Sequence, residues 1–206
     1  MAPKSKYPHL LWQKRSANTL TTADGKSVDV WELTPDNTDQ AVLKAWARHF
    51  REHYCLDSQI DELRAGTPFS RGEYLIESVF PAVTSKLGPA VRSGDFAEIL
   101  IADVLEDQLG FWVPRLRYAG KAVRDESVKG TDVLGFRFEK DDGTFSPNDV
   151  LLVAESKAQM SGNKAKPRLQ DAVNDSAKDA LRKSESLNFA KHRLLAEQRR
   201  PEALLV

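Results

Sequence analysis

The sequence predicts an α/β sandwich over residues 88–206, ordered helix, three strands, helix and the start of a last strand. Three observations predict it. Asp95 to Leu109 carries an apolar stripe at helical spacing, Thr131–Phe138 and Val150–Lys157 are short β-rich runs bounded by turn residues, and a second long helical pattern opens at Leu169. The order is not a strict alternation of strand and helix, which favours a sandwich over a doubly wound sheet. Residues 1–87 read as a separate lead-in, mostly helical and partly stranded.

The chain of 206 residues suffices for one packed domain with a smaller appendage. Thirty basic and thirty acidic residues give a net charge of +0, so any phosphate-binding surface must come from local clustering. Cys55 is the single cysteine, which excludes an intrachain disulfide and a cysteine-based zinc cluster and fits a reducing cytoplasm. No stretch approaches the roughly 18 apolar residues of a membrane span. The N-terminal MAPKSKYPHLLWQKR is basic but lacks the apolar core of a secretion signal, so a soluble cytoplasmic protein is expected.

In the lead-in, His9–Gln13 and Val28–Leu33 are strand-like, with Asp24-Gly25 as a turn between them. Pro35-Asp36-Asn37 leads into a helix marked by Val42, Leu43, Trp46, Phe50 and Tyr54. Ser70 with Glu73 forms a capping-box pattern opening a helix that runs through Val79 and stops at Pro81. In the second region, Phe96, Ile99, Leu100, Val104 and Leu105 form the stripe of the first helix, and Gly110 is its stop. Phe111–Tyr118 reads as a strand, with Pro114 marking an edge or a bulge. Thr131–Phe138 alternates, Asp141-Asp142-Gly143 turns the chain, and Val150–Lys157 reads as a buried strand. Gly162–Pro167 is a basic loop. Leu169, Ala172, Val173, Ala177, Ala180 and Leu181 mark a long helix, Leu187–Gln198 a further helical stretch, and Leu204-Leu205-Val206 the start of a last strand.

Two fragments carry chemistry: GTDVLGF, in which Asp132 opens a strand after a glycine turn, and LLVAESKA, in which Glu155 and Lys157 end one. Strand alternation sets Glu155 and Lys157 on one face. A carboxylate and an ammonium at the end of an apolar strand cost desolvation, and phosphodiester hydrolysis supplies a reason for them. Asp132 and Glu155 offer hard oxygen ligands to a divalent ion, which lowers the pKa of its water and neutralises phosphate charge. Lys157 orients or deprotonates the attacking water, or stabilises developing negative charge. Glu98, mid-helix, reaches the metal directly or through water, or holds Lys157. Singly, each residue has an ordinary explanation: a turn aspartate, a surface ion pair, a solvated helix glutamate. Their order and spacing together point to a site.

That order, Glu on a helix, G-x-D opening a strand and E-x-K ending the next, is similar to the PD-(D/E)xK nuclease superfamily. SGDFAEILIADVLEDQLGFWVPRLRYAGK, ESVKGTDVLGFRF and LLVAESKA more narrowly resemble the HamA nuclease subunit family of Hachiman-type antiphage defence systems, over about residues 88–185. The resemblance implies a restriction-endonuclease-like core and an active site of Glu98, Asp132, Glu155 and Lys157, with the three acids as metal ligands. It also implies Mg2+ or Mn2+ as cofactor, DNA as substrate, and a superfamily-2-type, HamB-like helicase partner. The chain has no G-x-x-x-x-G-K-[ST] phosphate loop with which to supply ATP-driven loading itself.

Candidate phosphate contacts are Lys121, Arg124 and Lys129 before Asp132, and Lys164, Lys166 and Arg168 after Lys157, with Arg115 and Arg117 in addition. The ordinary alternative is solvated loop charge. Asp95 reads as the cap of its own helix. His49 and His53 lie four apart on a helix, but no H-E-x-x-H pattern or third ligand accompanies them. The competing functional class is a non-catalytic subunit whose nuclease-like fold docks a helicase or senses DNA. Retention of all four site residues disfavours it.

Overall fold

The computed structural model describes residues 5–119, 121–140, 144–160, 164 and 166–206. The chain divides into two compact units, Met1–Phe50 and Arg51–Val206. The change of sequence pattern at Gly88 coincides with the start of a helix inside the second unit.

In the first unit a 3-10 turn spans Pro8–Trp12, where a strand is expected from the sequence; Pro8 favours the helical start and only Gln13 joins a sheet. Strands β1 (Gln13–Arg15) and β4 (Trp31–Leu33) pair antiparallel, as do β2 (Leu20–Thr21) and β3 (Ser27–Val28). The Asp24-Gly25 turn closes the latter pair, with Gly25 at φ 82°. Helix α1 (Gln40–Glu52) opens on Asp39, whose carboxylate accepts the Val42 N–H at 3.0 Å. Buried His9 stacks on Trp46 with ring centroids 4.7 Å apart, and Tyr7 packs on His49 at 4.8 Å.

The second unit begins with α2 (Ile60–Leu63) and α3 (Arg71–Tyr74), which opens on the Ser70–Glu73 capping box and continues as a π turn to Val79. Cys55, Ile60 and Leu75 bury together there. Helix α4 (Gly88–Leu109) starts a full two turns before Asp95, and Gly110 ends it in the left-handed conformation at φ 67°. Strands β5 (Val133–Arg137) and β6 (Val150–Ala154) then form an antiparallel ribbon. Helices α5 (Arg168–Ser176), α6 (Asp179–Ala196) and α7 (Arg200–Ala203) follow.

Alternation along β5 decides how these elements layer. Val133 packs with Ala102 and Leu105 of α4 and with Phe111 and Val113, whereas Leu134 packs with Ala190 and Leu194 of α6 and with Ala203. The ribbon is therefore sandwiched between α4 and the α6–α7 pair. Gly135 allows Phe111 to lie on the ribbon: a Cβ there would stand 3.2 Å from the Phe111 ring.

Several expected elements take another form. Phe111–Tyr118 makes one isolated bridge, in which Trp112 and Phe136 exchange N–H···O bonds of 2.7 and 2.8 Å. Pro114 has no N–H to donate and Arg115 sits at φ 52°, so the ladder cannot continue. β6 is a half-exposed strand rather than a buried one, because among the described residues it pairs with β5 alone; Val150 and Leu151 are each 37% exposed. The break between the last long helices falls at Ala177-Lys178, and Leu187–Gln198 belongs largely to α6. Helix α7 occupies Arg200–Ala203, with Pro201 in its first turn, and Leu204–Val206, expected to start a last strand, follow it without strand structure. Asp141, Asp142 and Gly143, expected as a turn, lie outside the described residues.

Besides the Trp112 bridge and the burial of Phe111, Val113 and Leu116, charge fixes the segment after Gly110. Helix α4 buries Asp95, Glu98 and Asp103, and each meets a cation from that segment. Asp103 pairs with Arg115 at 2.7 Å, Glu98 with Arg117 at 3.4 Å and Asp95 with Lys121 at 2.7 Å. The pairing runs antiparallel to the helix. Asp103→Ala removes a buried charged partner while Arg115 keeps Glu106 at 3.0 Å, so it is expected to lower unfolding free energy by about 1–3 kcal/mol. Urea denaturation measures it, and a loss under about 1 kcal/mol would show that the pair is dispensable.

Candidate active site

Strand register builds the site. The last ladder pair is Val133–Ala154, and the same register carried one residue further sets Asp132 across from Glu155. The two strands stay together at this point, since the Ser156 N–H donates to Asp132 Oδ2 at 2.9 Å. Two carboxylates facing each other repel unless cations intervene. Both have one: Arg117 stands 3.3 Å from Asp132 Oδ1, and the Lys157 ammonium bonds Glu155. Lys157 also reaches Asp175 of α5 at 3.0 Å.

Glu98 joins from α4. It is 6% exposed, not solvated, and it contacts Arg117 while accepting a 3.3 Å bond from the Tyr118 hydroxyl. Burial pushes its carboxyl up to about 8, aided by Asp132 and Asp95 and opposed by Arg117. Lys157 moves the other way from what its partial burial would do, because its bonds to Glu155 and Asp175 hold the ammonium above the ordinary lysine range. Asp175, bonded first by Lys178 and then by Lys157, is lowered to about 2.

The turn before Asp132 is also fixed. Arg117 donates to the carbonyls of Thr131 and Val128, the latter at 2.6 Å, and Gly130 turns the chain at φ 114°. Ser186 of α6 accepts the Thr131 N–H and donates to the Thr131 hydroxyl, both at 3.0 Å.

Glu98, Asp132, Glu155 and Lys157 are thus linked through Arg117 and the β5–β6 register. The phosphate candidates separate. Lys121 is buried against Asp95, which also accepts a 2.7 Å bond from Tyr54, so its charge is spent inside the protein. Asp95 itself is a mid-helix buried acid, not a cap. Arg124 donates to the Ile76 carbonyl at 2.8 Å, and Arg168 pairs with Asp171 at 3.2 Å. Lys129, Lys164 and Lys166 are exposed, with Gln159 bonded to the backbone of both Lys164 and Lys166 at 2.7 and 3.0 Å. Gly162 of the basic loop lies outside the described residues. His49 packs on Tyr7, and His53 contacts Arg115 at 2.7 Å. Sequence reading missed the pairing of Arg117 with the acids and the contribution of Asp175. The alternation of Arg115 and Arg117 was the available signal for the first.

Among the described residues, no group of three or more His, Cys, Asp or Glu side chains is arranged to hold a metal. Magnesium, however, is commonly held by one or two carboxylates together with water and phosphate oxygens. Asp132 and Glu155, opposed at the strand ends and each partly accessible, fit that donor set by their chemistry. Glu98, turned to Arg117 and Tyr118, does not join them in this arrangement.

The second unit is therefore a layered α/β structure with an ion-paired set of acids and bases at its strand ends. A family model, HamA, matches residues 8–205, so the chain belongs to the HamA family and with it to Hachiman-type antiphage defence. The match takes in both units, beyond the 88–185 stretch that carried the sequence resemblance. No curated protein matches the chain. Membership of a Hachiman system implies a partner component. No helix among the described residues is long and apolar enough to cross a membrane.

The state of Glu98 has a consequence for pH. The folded chain holds this proton up to about 8, whereas an ordinary glutamate releases it near 4.5. Its contribution to stability is therefore complete below 4.5 and lost as pH rises to about 8. Glu98→Gln, which cannot ionise, is expected to flatten a decline of at most about 1.4 kcal/mol per pH unit across that window. Urea titrations of both proteins across the window measure this; parallel curves would refute the buried neutral carboxyl.

Proposed function

We propose that this chain is the DNA-cleaving effector of its defence system, a Mg2+- or Mn2+-dependent phosphodiesterase built on a PD-(D/E)xK core. The observation that carries the reading is that Asp132 and Glu155 directly flank the last ladder pair, Val133–Ala154, at one end of the ribbon, with the Lys157 ammonium on Glu155. The sandwich of α4, the β5–β6 ribbon and α6 supports the core assignment, since it brings a helix glutamate to the same strand ends.

When bound, the metal supplies a water of lowered pKa and a counter-charge for the phosphate. Asp132 offers a carboxylate already oriented by the Ser156 N–H. Lys157 is held as a cation, which favours stabilising negative charge on phosphate oxygens over removing a proton from water. Lys129, immediately ahead of the turn, and Lys164 and Lys166 after the lysine are the exposed cations available to DNA phosphates. A superfamily-2-type helicase, the HamB-like component, would open or feed DNA to this site, the chain itself having no nucleotide-binding phosphate loop.

The reading is tested by cleavage of plasmid and single-stranded DNA with Mg2+ or Mn2+, by the chain alone and with the helicase. Asp132→Ala and Lys157→Ala are expected to lose on the order of 100-fold or more in rate. Equal cleavage by variants and wild type would remove the mechanism. No cleavage by wild type even with the helicase would favour a non-catalytic docking subunit.

A further inference from the structure

Asp132 is the first residue after a turn, and a ligand so placed is only as well oriented as the turn that precedes it. Two side chains from other elements grip this turn. Arg117 approaches from the segment paired to α4, donating to the carbonyls of Val128 at 2.6 Å, Gly130 at 3.5 Å and Thr131. The same guanidinium contacts Asp132 Oδ1 at 3.3 Å and Glu98 at 3.4 Å. Ser186 approaches from α6 and closes a reciprocal pair of 3.0 Å bonds with the Thr131 backbone N–H and hydroxyl. Thr131 and Ser186 are both 5% exposed, so water does not compete for these bonds.

The chemistry of each residue suits a clamp. A guanidinium presents five N–H donors in a flat fork and stays charged at every accessible pH, so it can serve several carbonyls and two carboxylates at once. A lysine ammonium is a compact point charge that cannot span that fan. The serine hydroxyl donates and accepts together, which is what a backbone N–H and a threonine hydroxyl side by side require. Lys129 stays exposed between the gripped carbonyls of Val128 and Gly130, so the clamp holds the backbone and leaves the cation outside.

We propose that Arg117 and Ser186 are positioning residues that fix the Val128–Asp132 turn and thereby present Asp132 beside Glu155 in a geometry able to bind a divalent cation. This rests on the reading of Asp132 as a metal ligand. Neither residue touches the reacting atoms; both act through Asp132. Supporting groups of this kind typically change metal affinity by about 10–100-fold when removed.

Two measurements on the full chain separate the clamp from the metal reading. Amide hydrogen exchange at Thr131 reports the turn without any metal, and calorimetric titration with Mg2+ reports the ligand. Arg117→Lys keeps the charge but loses the fan of bonds, and Ser186→Ala loses the hydroxyl. Each is expected to speed Thr131 exchange on the order of tenfold or more and to weaken Mg2+ binding by about 10–100-fold, with the circular dichroism of wild type. If Arg117→Lys does not fold, Ser186→Ala carries the test. Wild-type exchange and wild-type Mg2+ affinity in a folded variant would overturn the clamp. Mg2+ binding unchanged by Asp132→Ala would overturn the metal reading, and with it the role given to the clamp, whatever the exchange rates show.

Discussion

Everything near the site depends on how one helix disposes of its acids. Helix α4 is buried over much of its circumference and carries Asp95, Glu98 and Asp103 into that interior. Water cannot solvate them there, and each unpaired carboxylate would cost several kcal/mol. The segment after the helix turns back at Gly110 and answers with Arg115, Arg117 and Lys121 in the reverse order. The Trp112–Phe136 bridge is the segment's one ladder contact among the described residues; beyond it, ion pairs and the burial of Phe111, Val113 and Leu116 hold it. Arg115 accepts an unfavourable backbone conformation at φ 52° while its guanidinium meets Asp103, Glu106 and His53.

Such pairs contribute little net stability when compared with well-packed apolar residues of similar size. Their value here is placement. The middle contact, in which Arg117 meets the largely protonated Glu98, is shared with the strand ends, because Arg117 also holds Asp132 and the turn before it. One guanidinium thus connects the helix layer to the ribbon. The apolar contacts set the layers, with Val133 facing α4 and Leu134 facing α6, and the ion pairs then fix where within the layers the carboxylates stand.

On the other side of the opposed carboxylates, Lys157 is held between Glu155 and Asp175. That arrangement makes the lysine firmly cationic and draws α5 to the site, even though α5 buries none of its residues. One base stands between two acids on each side: Arg117 between Glu98 and Asp132, Lys157 between Glu155 and Asp175. Membership of the HamA family gives this constellation its biological setting, and the chemistry proposed for it follows from the donors themselves.

The sequence by itself determined the elements that rest on local rules. The α4 stripe and its Gly110 stop, the Ser70–Glu73 box, the Gly25 turn and the strands leading from Asp132 and to Glu155 follow from periodicity, capping and backbone freedom within a few residues. The register that brings Asp132 and Glu155 to one end of the ribbon was half legible, since the two strands were visible but their alignment was not. Only the tertiary structure decided which charges face inward. Lys121 and Asp95 look like a surface cation and a helix cap in sequence, and the fold buries them against each other across 26 residues of chain. Phe111–Tyr118 has strand composition, yet Pro114 and the ion pairs to α4 give it another course. Burial and pairing are properties of neighbours distant in sequence, and a linear pattern fixes neighbours only where they are close along the chain.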